Sequence, residues 1–403
     1  MIFRRTLSPA AAPLTGKDLF NGLRGLAKGA RARLELEQDL KNYFGVKHVF
    51  CVNSGKTALT LILLTLQELS PKKEVVLPAY TCFSVPSAVL RAGLRPRLCD
   101  VDDRTFDFKF EELQRVVGPD TLCIVTCHLF GIPANLDRLQ MLCEANSVML
   151  VEDAAQAMGV TQGHRKLGTV GDVGFYSLGR GKMITCGEGG VIVTNSDQLA
   201  QTLARHHDAL PEPTFTHAVI DLLKACLMVL LIRPSLFWIP VSIPFLKLGQ
   251  TFFDKTFPLA RLSGANVGLM RCWRERLTQS LEERRANAKE YQQVLRSSGP
   301  SAKPLAYLRF PVLAVGRPDR DALMARAHQE GVGLSLMYPT TLNEIDEVRD
   351  VERQYPGAQS IVDRLVTLPT HEYVSSLDKQ VICALVKPHL MRPGVGQVQT
   401  TRT

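Results

Sequence analysis

No apolar run in the 403-residue chain reaches the roughly 18–20 positions that a membrane-crossing helix needs. The N-terminus, Met1-Ile2-Phe3-Arg4-Arg5, lacks the apolar core of a secretory signal. Ten cysteines are present, yet no Cys-x-x-Cys occurs and no paired Cys/His spacing suggests zinc. The expectation is therefore a cytoplasmic chain with free, mostly buried thiols and no metal. A long Lys/Arg run is also missing, as are the signatures of fingers, homeodomains and RNA modules. Nucleic-acid binding is disfavoured on that ground, although the net charge is +9. The basic balance suits another anionic partner, such as a phosphate, a nucleotide or a membrane surface. Hydrophobic residues make up 45% of the chain, enough for a sizeable core, and the length fits a large and a small domain.

From Val49 onwards, short apolar runs alternate with helical stretches. Strands are predicted at Val49–Val52, Glu74–Leu77, Arg97–Asp100, Leu122–Thr126 and Val148–Glu152. Helices are predicted between them at Lys56–Leu69, Phe83–Ala92, Lys109–Val117 and Leu136–Ala145. This rhythm predicts an α/β fold with a mostly parallel sheet sandwiched by helices. Phe175-Tyr176-Ser177 and Gly190–Thr194 read as strands flanking a Gly-rich turn. A long helix at 270–295, a strand at Leu308–Val315 and a helix at 318–330 open a smaller C-terminal α/β domain. The expected division is an irregular N-terminal arm over 1–30, a large domain over 31–265, a small domain over 266–391 and a disordered tail over 392–403. Within the large domain the first helix is expected at 31–44.

Residues 218–248 stand out. Leu222–Ile232 is apolar apart from Lys224, and Leu236–Leu246 is apolar around Pro240 and Pro244. A buried helix pair at a domain or subunit interface is one reading. The other is a surface that dips into a membrane, with Lys224, Arg233 and Lys247 near lipid phosphates.

Three segments carry chemistry. Asp153 ends the apolar run that starts at Val148, and strand ends of parallel sheets are where such folds bind ligands. Taken alone, it reads equally as a helix N-cap. Lys182 sits among Gly179, Gly181 and Gly187, as a loop residue, a phosphate contact or a catalytic amine. Ser54-Gly55-Lys56-Thr57 begins a helix directly after a strand, where free amides and the helix dipole attract phosphate. An ordinary Ser-capped helix without a ligand is the alternative. The nucleotide P-loop reading fails, because that motif requires glycine where Phe50 stands. A phosphate cradle, a carboxylate for a protonated ring nitrogen and an amine for a covalent bond are together what pyridoxal 5'-phosphate (PLP) needs.

The chain resembles the DegT/StrS family of nucleotide-sugar aminotransferases, PLP enzymes of fold type I, from about residue 12 to 390. Glu152-Asp153-Ala154-Ala155-Gln156 is the most specific segment. Asn53-Ser54-Gly55 with Ala58-Leu59, His128-Leu129-Phe130-Gly131, the Ser177 to Lys182 spacing, Tyr338-Pro339 and Leu368-Pro369-Thr370-His371 add to it. The resemblance implies that Lys182 bonds the cofactor and that Asp153 pairs with its ring nitrogen. It places Gln156 on the ring's oxygen side and gives the phosphate to Ser177 and the Gly55 and Lys56 amides beside Ser54. The residue stacked on the ring falls near Cys82, where relatives carry an aromatic side chain. Tyr80 and Phe83 are the nearby substitutes. Lys56 replaces the family's usual Thr, and Thr340-Thr341-Leu342-Asn343 replaces a stretch that reaches a His.

The implied activity is transfer of an amino group, by family habit from glutamate, to a nucleotide-linked keto sugar in glycan or polysaccharide biosynthesis. A homodimer is implied too. Two alternatives stay open: PLP chemistry other than transamination, and a non-catalytic membrane-associated scaffold of a glycan pathway. Peripheral contact with the inner face of the membrane through 218–248 accompanies either the enzyme or the scaffold.

Overall fold

The computed structural model describes residues 5–243, 251–295, 305–349 and 353–390. The tail over 392–403 and the end of the apolar segment, 244–248, lie outside these residues. In chain order the helices are α1 Gly16–Phe44, α2 Gly55–Leu69, α3 Ser84–Arg91, α4 Phe110–Val116, α5 Leu136–Asn146, α6 Asp197–Asp208, α7 Phe215–Leu231, α8 Trp238–Val241, α9 Gly264–Leu269, α10 Trp273–Leu295, α11 Arg317–Glu330, α12 Pro356–Arg364 and α13 Ser376–Val386. The strands are β1 His48–Val52, β2 Glu74–Pro78, β3 Arg95–Cys99, β4 Thr121–Cys127, β5 Met149–Asp153, β6 Thr161–Gln162, β7 Arg165–Lys166, β8 Val173–Ser177, β9 Gly190–Thr194, β10 Arg309–Leu313 and β11 Leu365–Pro369.

Seven strands form one sheet in the order β1-β9-β8-β5-β4-β2-β3. β9 runs antiparallel to both neighbours, and the pairs from β8 through β3 are parallel. All seven residues of β4 are buried, as expected of a strand covered on both faces. β5 is the central strand, and its register sets Asp153 opposite Cys127 of β4 and Phe175 of β8. The parallel topology therefore gathers the C-terminal ends of β4, β5 and β8 at one edge. The mostly parallel α/β sandwich read from the sequence is what the chain forms. A separate antiparallel pair, β10 with β11, lies in the C-terminal part among α11, α12 and α13.

One expectation fails. The stretch up to residue 30 is not irregular throughout, because α1 starts at Gly16 behind a Thr15/Asp18 capping box and kinks at Gly29. Its glycines lower helix propensity, and tertiary packing overrides that. A Cβ on Gly25 would fall 2.1 Å from Gly264 O, so only glycine lets α1 approach α9 this closely. The buried helix pair expected at a domain or subunit interface is not covered within the chain itself. Within the chain α7 fully buries only Ala218 and Ala225, and its opposite face is open.

Candidate active site

Ser54 is the N-cap of α2, its Oγ accepting the Thr57 amide at 3.1 Å. The first amides of a helix have no partner within it, so those of Gly55 and Lys56 are left at this end. Ser177 comes to them from the end of β8. A Cβ added to Gly55 would lie 3.2 Å from Ser177 Cβ and 3.4 Å from its Oγ. The space beside the hydroxyl therefore exists because residue 55 is glycine. Ser177 Oγ also accepts the Gly179 amide at 3.3 Å, at the start of the loop that leads to Lys182.

Lys182 lies in that loop between β8 and β9, where Gly181 takes the left-handed φ of 71°. Among the described residues its Nζ has neither a hydrogen-bond nor an ion-pair partner. Asp153, at the end of β5, accepts the Ala155 amide on Oδ1 at 3.0 Å. The Cys127 thiol points to its Oδ2 at 3.7 Å, and Thr81 donates to that sulfur at 3.2 Å. Burial raises the Asp153 carboxyl above its ordinary value, against the Ala155 amide and the charge of Lys182. A cation in front of Oδ2 would relieve that penalty.

Behind Asp153 lies a fully buried pair. His128 Nδ1 accepts the Ala134 amide at 3.2 Å, so Nε2 carries the hydrogen and donates to Glu152 at 2.9 Å. Glu152 also accepts the amides of Gly168, Val170 and Gly171 at 2.8, 2.6 and 2.6 Å. Burial pushes the Glu152 carboxyl up, but the His128 contact and the backbone amides outweigh it and hold it low. Gln156 is spent on two neighbours: its oxygen takes the Phe130 amide at 3.0 Å and its nitrogen donates to Tyr338 Oη at 2.9 Å.

One cavity of about 210 Å³ joins these groups. Ser54, Gly55, Lys56 and Ser177 line one part, and Asp153, Gln156, Lys182 and Cys82 line the rest. Every site residue expected from the sequence is on its wall. Cys82 is half-buried on the cavity wall, and its thiol donates to Ser84 Oγ at 3.2 Å. Tyr80 and Phe83 are in the core and do not line the cavity, whereas His128 and Tyr338 do. Both belong to motifs visible in the sequence, but their places on the wall depend on partners far along the chain. Lys56 Nζ sits 4.3 Å from the Phe257 ring centre and 3.7 Å from Asp254, two contacts that no local pattern announces. A larger cavity of about 420 Å³ between α1 and α9 contains none of the candidate residues.

The wall fits PLP. A phosphate would meet amides and a hydroxyl where a Cβ is absent, and a ring cation would meet a buried carboxylate. An amine without a partner faces the same space.

The model of the DegT/DnrJ/EryC1/StrS aminotransferase family matches residues 24–210 and 262–387. A GDP-perosamine synthase of Caulobacter vibrioides is 36% identical over 167 residues, 41% of this chain and 45% of the relative. A UDP-2-acetamido-2-deoxy-3-oxo-D-glucuronate aminotransferase of Pseudomonas aeruginosa is 24% identical over 357 residues, 87% of this chain and 88% of the relative. The chain thus spans about half the length of the first curated relatives it matches and most of the second relative named here. Among solved structures, the sugar aminotransferase CalS13 from Micromonospora echinospora superposes with a TM-score of 0.77 at 23% identity, covering 95% of this chain and 99% of that one. That likeness shows a shared fold.

Proposed function

The chain belongs to the DegT/DnrJ/EryC1/StrS aminotransferase family, and from that premise we propose that it moves an amino group from an amino acid, glutamate by the family's habit, to a nucleotide-linked keto sugar. One relative that acts on such a sugar by name and another that makes a GDP-linked sugar by name support the substrate class, as does the net charge of +9 beside a diphosphate carrier. The reading includes a cytoplasmic homodimer in glycan or polysaccharide biosynthesis. It also includes peripheral contact of the 218–248 segment with the inner face of the membrane.

Pyridoxal phosphate is the cofactor, and when bound it supplies an electron sink for the carbon that carries the nitrogen. The chain's own residues do the rest. Ser177, Ser54 and the amides of Gly55 and Lys56 would hold the phosphate. Asp153 would hold the ring nitrogen, whose positive charge would offset the cost of burying the carboxylate. Gln156, held between Phe130 and Tyr338, would offer its second amide hydrogen to the ring's oxygen side. Cys82 would lie against the ring. Lys182 Nζ is the group that can bond the cofactor and, once released, take a proton from the substrate carbon and return one.

The observation that carries this reading is the partnerless Lys182 amine facing the cavity that buried Asp153 also lines. The test is an absorbance spectrum of the protein with PLP beside its Lys182→Ala variant. Wild type should show a visible band that glutamate bleaches with release of the keto acid, and the variant should not cycle. Absence of any bound cofactor in either protein would sink the reading.

A further inference from the structure

Residues 211–261 lie between the two stretches that the family model matches, so α7 and α8 belong to a segment the family pattern does not describe. α7 turns Ala218, Leu222, Ala225 and Val229 inward, towards α1 and α9. Its opposite face shows Ile220, Leu223, Leu227 and Leu230, exposed by 43, 59, 58 and 52%. Their helical spacing makes one continuous apolar stripe on the outside of the protein. We propose that this stripe docks on an anionic phospholipid surface, with Lys224 and Arg233 at the headgroups.

Charge selects the occupant. Between Glu212 and Asp254 the sequence holds a single acid, Asp221, against Lys224, Arg233 and Lys247. The Asp221 carboxylate is taken by the Ser263 hydroxyl at 2.9 Å, while Lys224 and Arg233 are exposed. A second copy packed on this face by two-fold symmetry would bring Lys224 and Arg233 of the two copies to the same interface. A strip one helix wide is also a small share of the roughly 800 Å² that each partner of a stable interface buries. Anionic headgroups above an acyl layer answer both the cations and the leucines. Trp238 on α8, half-buried with its indole N–H on Ser235 O, adds a side chain suited to the headgroup level. No described helix is long and apolar enough to cross the bilayer, so the contact is with its surface.

The helix that carries the stripe also borders the catalytic part of the chain. Lys224 and Met228 share a small hollow with Asp221, Arg180, Gly187, Glu188 and Asn266, beside the loop that holds Lys182. Docking extends the membrane contact inferred above and is independent of the chemistry at Lys182.

The experiment is flotation of the full chain with vesicles of phosphatidylcholine alone or mixed with phosphatidylglycerol. Wild type should float with the mixed vesicles and stay behind with the neutral ones. Leu223→Glu with Leu227→Glu should abolish flotation while cofactor absorbance and melting temperature stay unchanged. Lys224→Glu with Arg233→Glu should weaken binding by at least about tenfold. Equal flotation on both compositions, no flotation of wild type, or undiminished flotation of the leucine variant would each overturn the proposal. So would a leucine variant that light scattering finds in a smaller oligomer, which would assign the stripe to a second copy. Cofactor absorbance reports separately on the aminotransferase reading.

Discussion

Asp153 and Lys182 face one cavity from the end of β5 and from the loop after β8, and no ion pair closes between them. The lysine's charge still acts on the carboxylate, and burial works against it. The separation leaves room for a group that engages both. Asp153→Asn keeps the shape and the Ala155 amide contact but removes the charge. It should lower the half-reaction rate with glutamate by roughly 10²–10³-fold, in the range seen when one preorganised electrostatic contact is lost. Single-turnover absorbance measures this, and an unchanged rate would remove Asp153 from the proposed role.

The Ser177 hydroxyl and the space at Gly55 make separable predictions. Ser177→Ala should weaken cofactor binding by roughly 10–100-fold, the value of a hydrogen bond to a charged group. Gly55→Ala should weaken it as well, because the new Cβ would press on Ser177. Alanine is the better helix former, so this variant's cofactor-free melting temperature should hold or rise. Fluorescence titration with PLP, set beside a thermal melt, distinguishes a lost cradle from a damaged fold.

These residues were legible because each sits where a local pattern changes: Asp153 at the end of an apolar run, Ser54 at a strand-to-helix switch, Lys182 among glycines. The open face of α7 was not, since an apolar run looks the same whether a neighbour covers it or not. The first turns of α1 were hidden by glycines whose use is the close approach to α9. The His128–Glu152 pair joins two motifs that were both visible, but only the β4–β5 register shows that they meet.

That pair is the next test. Glu152 receives three backbone amides and the His128 Nε2–H, so every neighbour of its carboxylate is a donor. Glu152→Gln would set an amide nitrogen against one of them. The loss should be about 3–5 kcal/mol, as when one partner of a buried pair is removed. Denaturant unfolding of the cofactor-free chain measures it. Because the folded carboxyl is held below its ordinary value, the stability it contributes is present above the usual carboxylate range. It is lost as pH falls through the folded value. The gap between wild type and variant should therefore narrow in acid.

Glu37 carries the opposite sign. Burial pushes its carboxyl up to about 7, outweighing the Cys51 amide on Oε1 at 2.8 Å and the nearby charge of Arg33. The folded chain then holds this proton more tightly than the unfolded chain does. Across the window from the ordinary value of 4.5 up to about 7, folding takes up a proton at this site. Its contribution to stability must therefore fall as pH rises. Glu37→Gln keeps an oxygen for the Cys51 amide and cannot ionise, so it removes this slope. Near pH 5 the two proteins should melt together. Near pH 8 the variant should melt higher by on the order of 2 °C. Paired thermal melts at the two pH values decide it: a variant that melts lower at both would mean that the charged carboxylate stabilises the fold through Arg33 and that burial does not dominate.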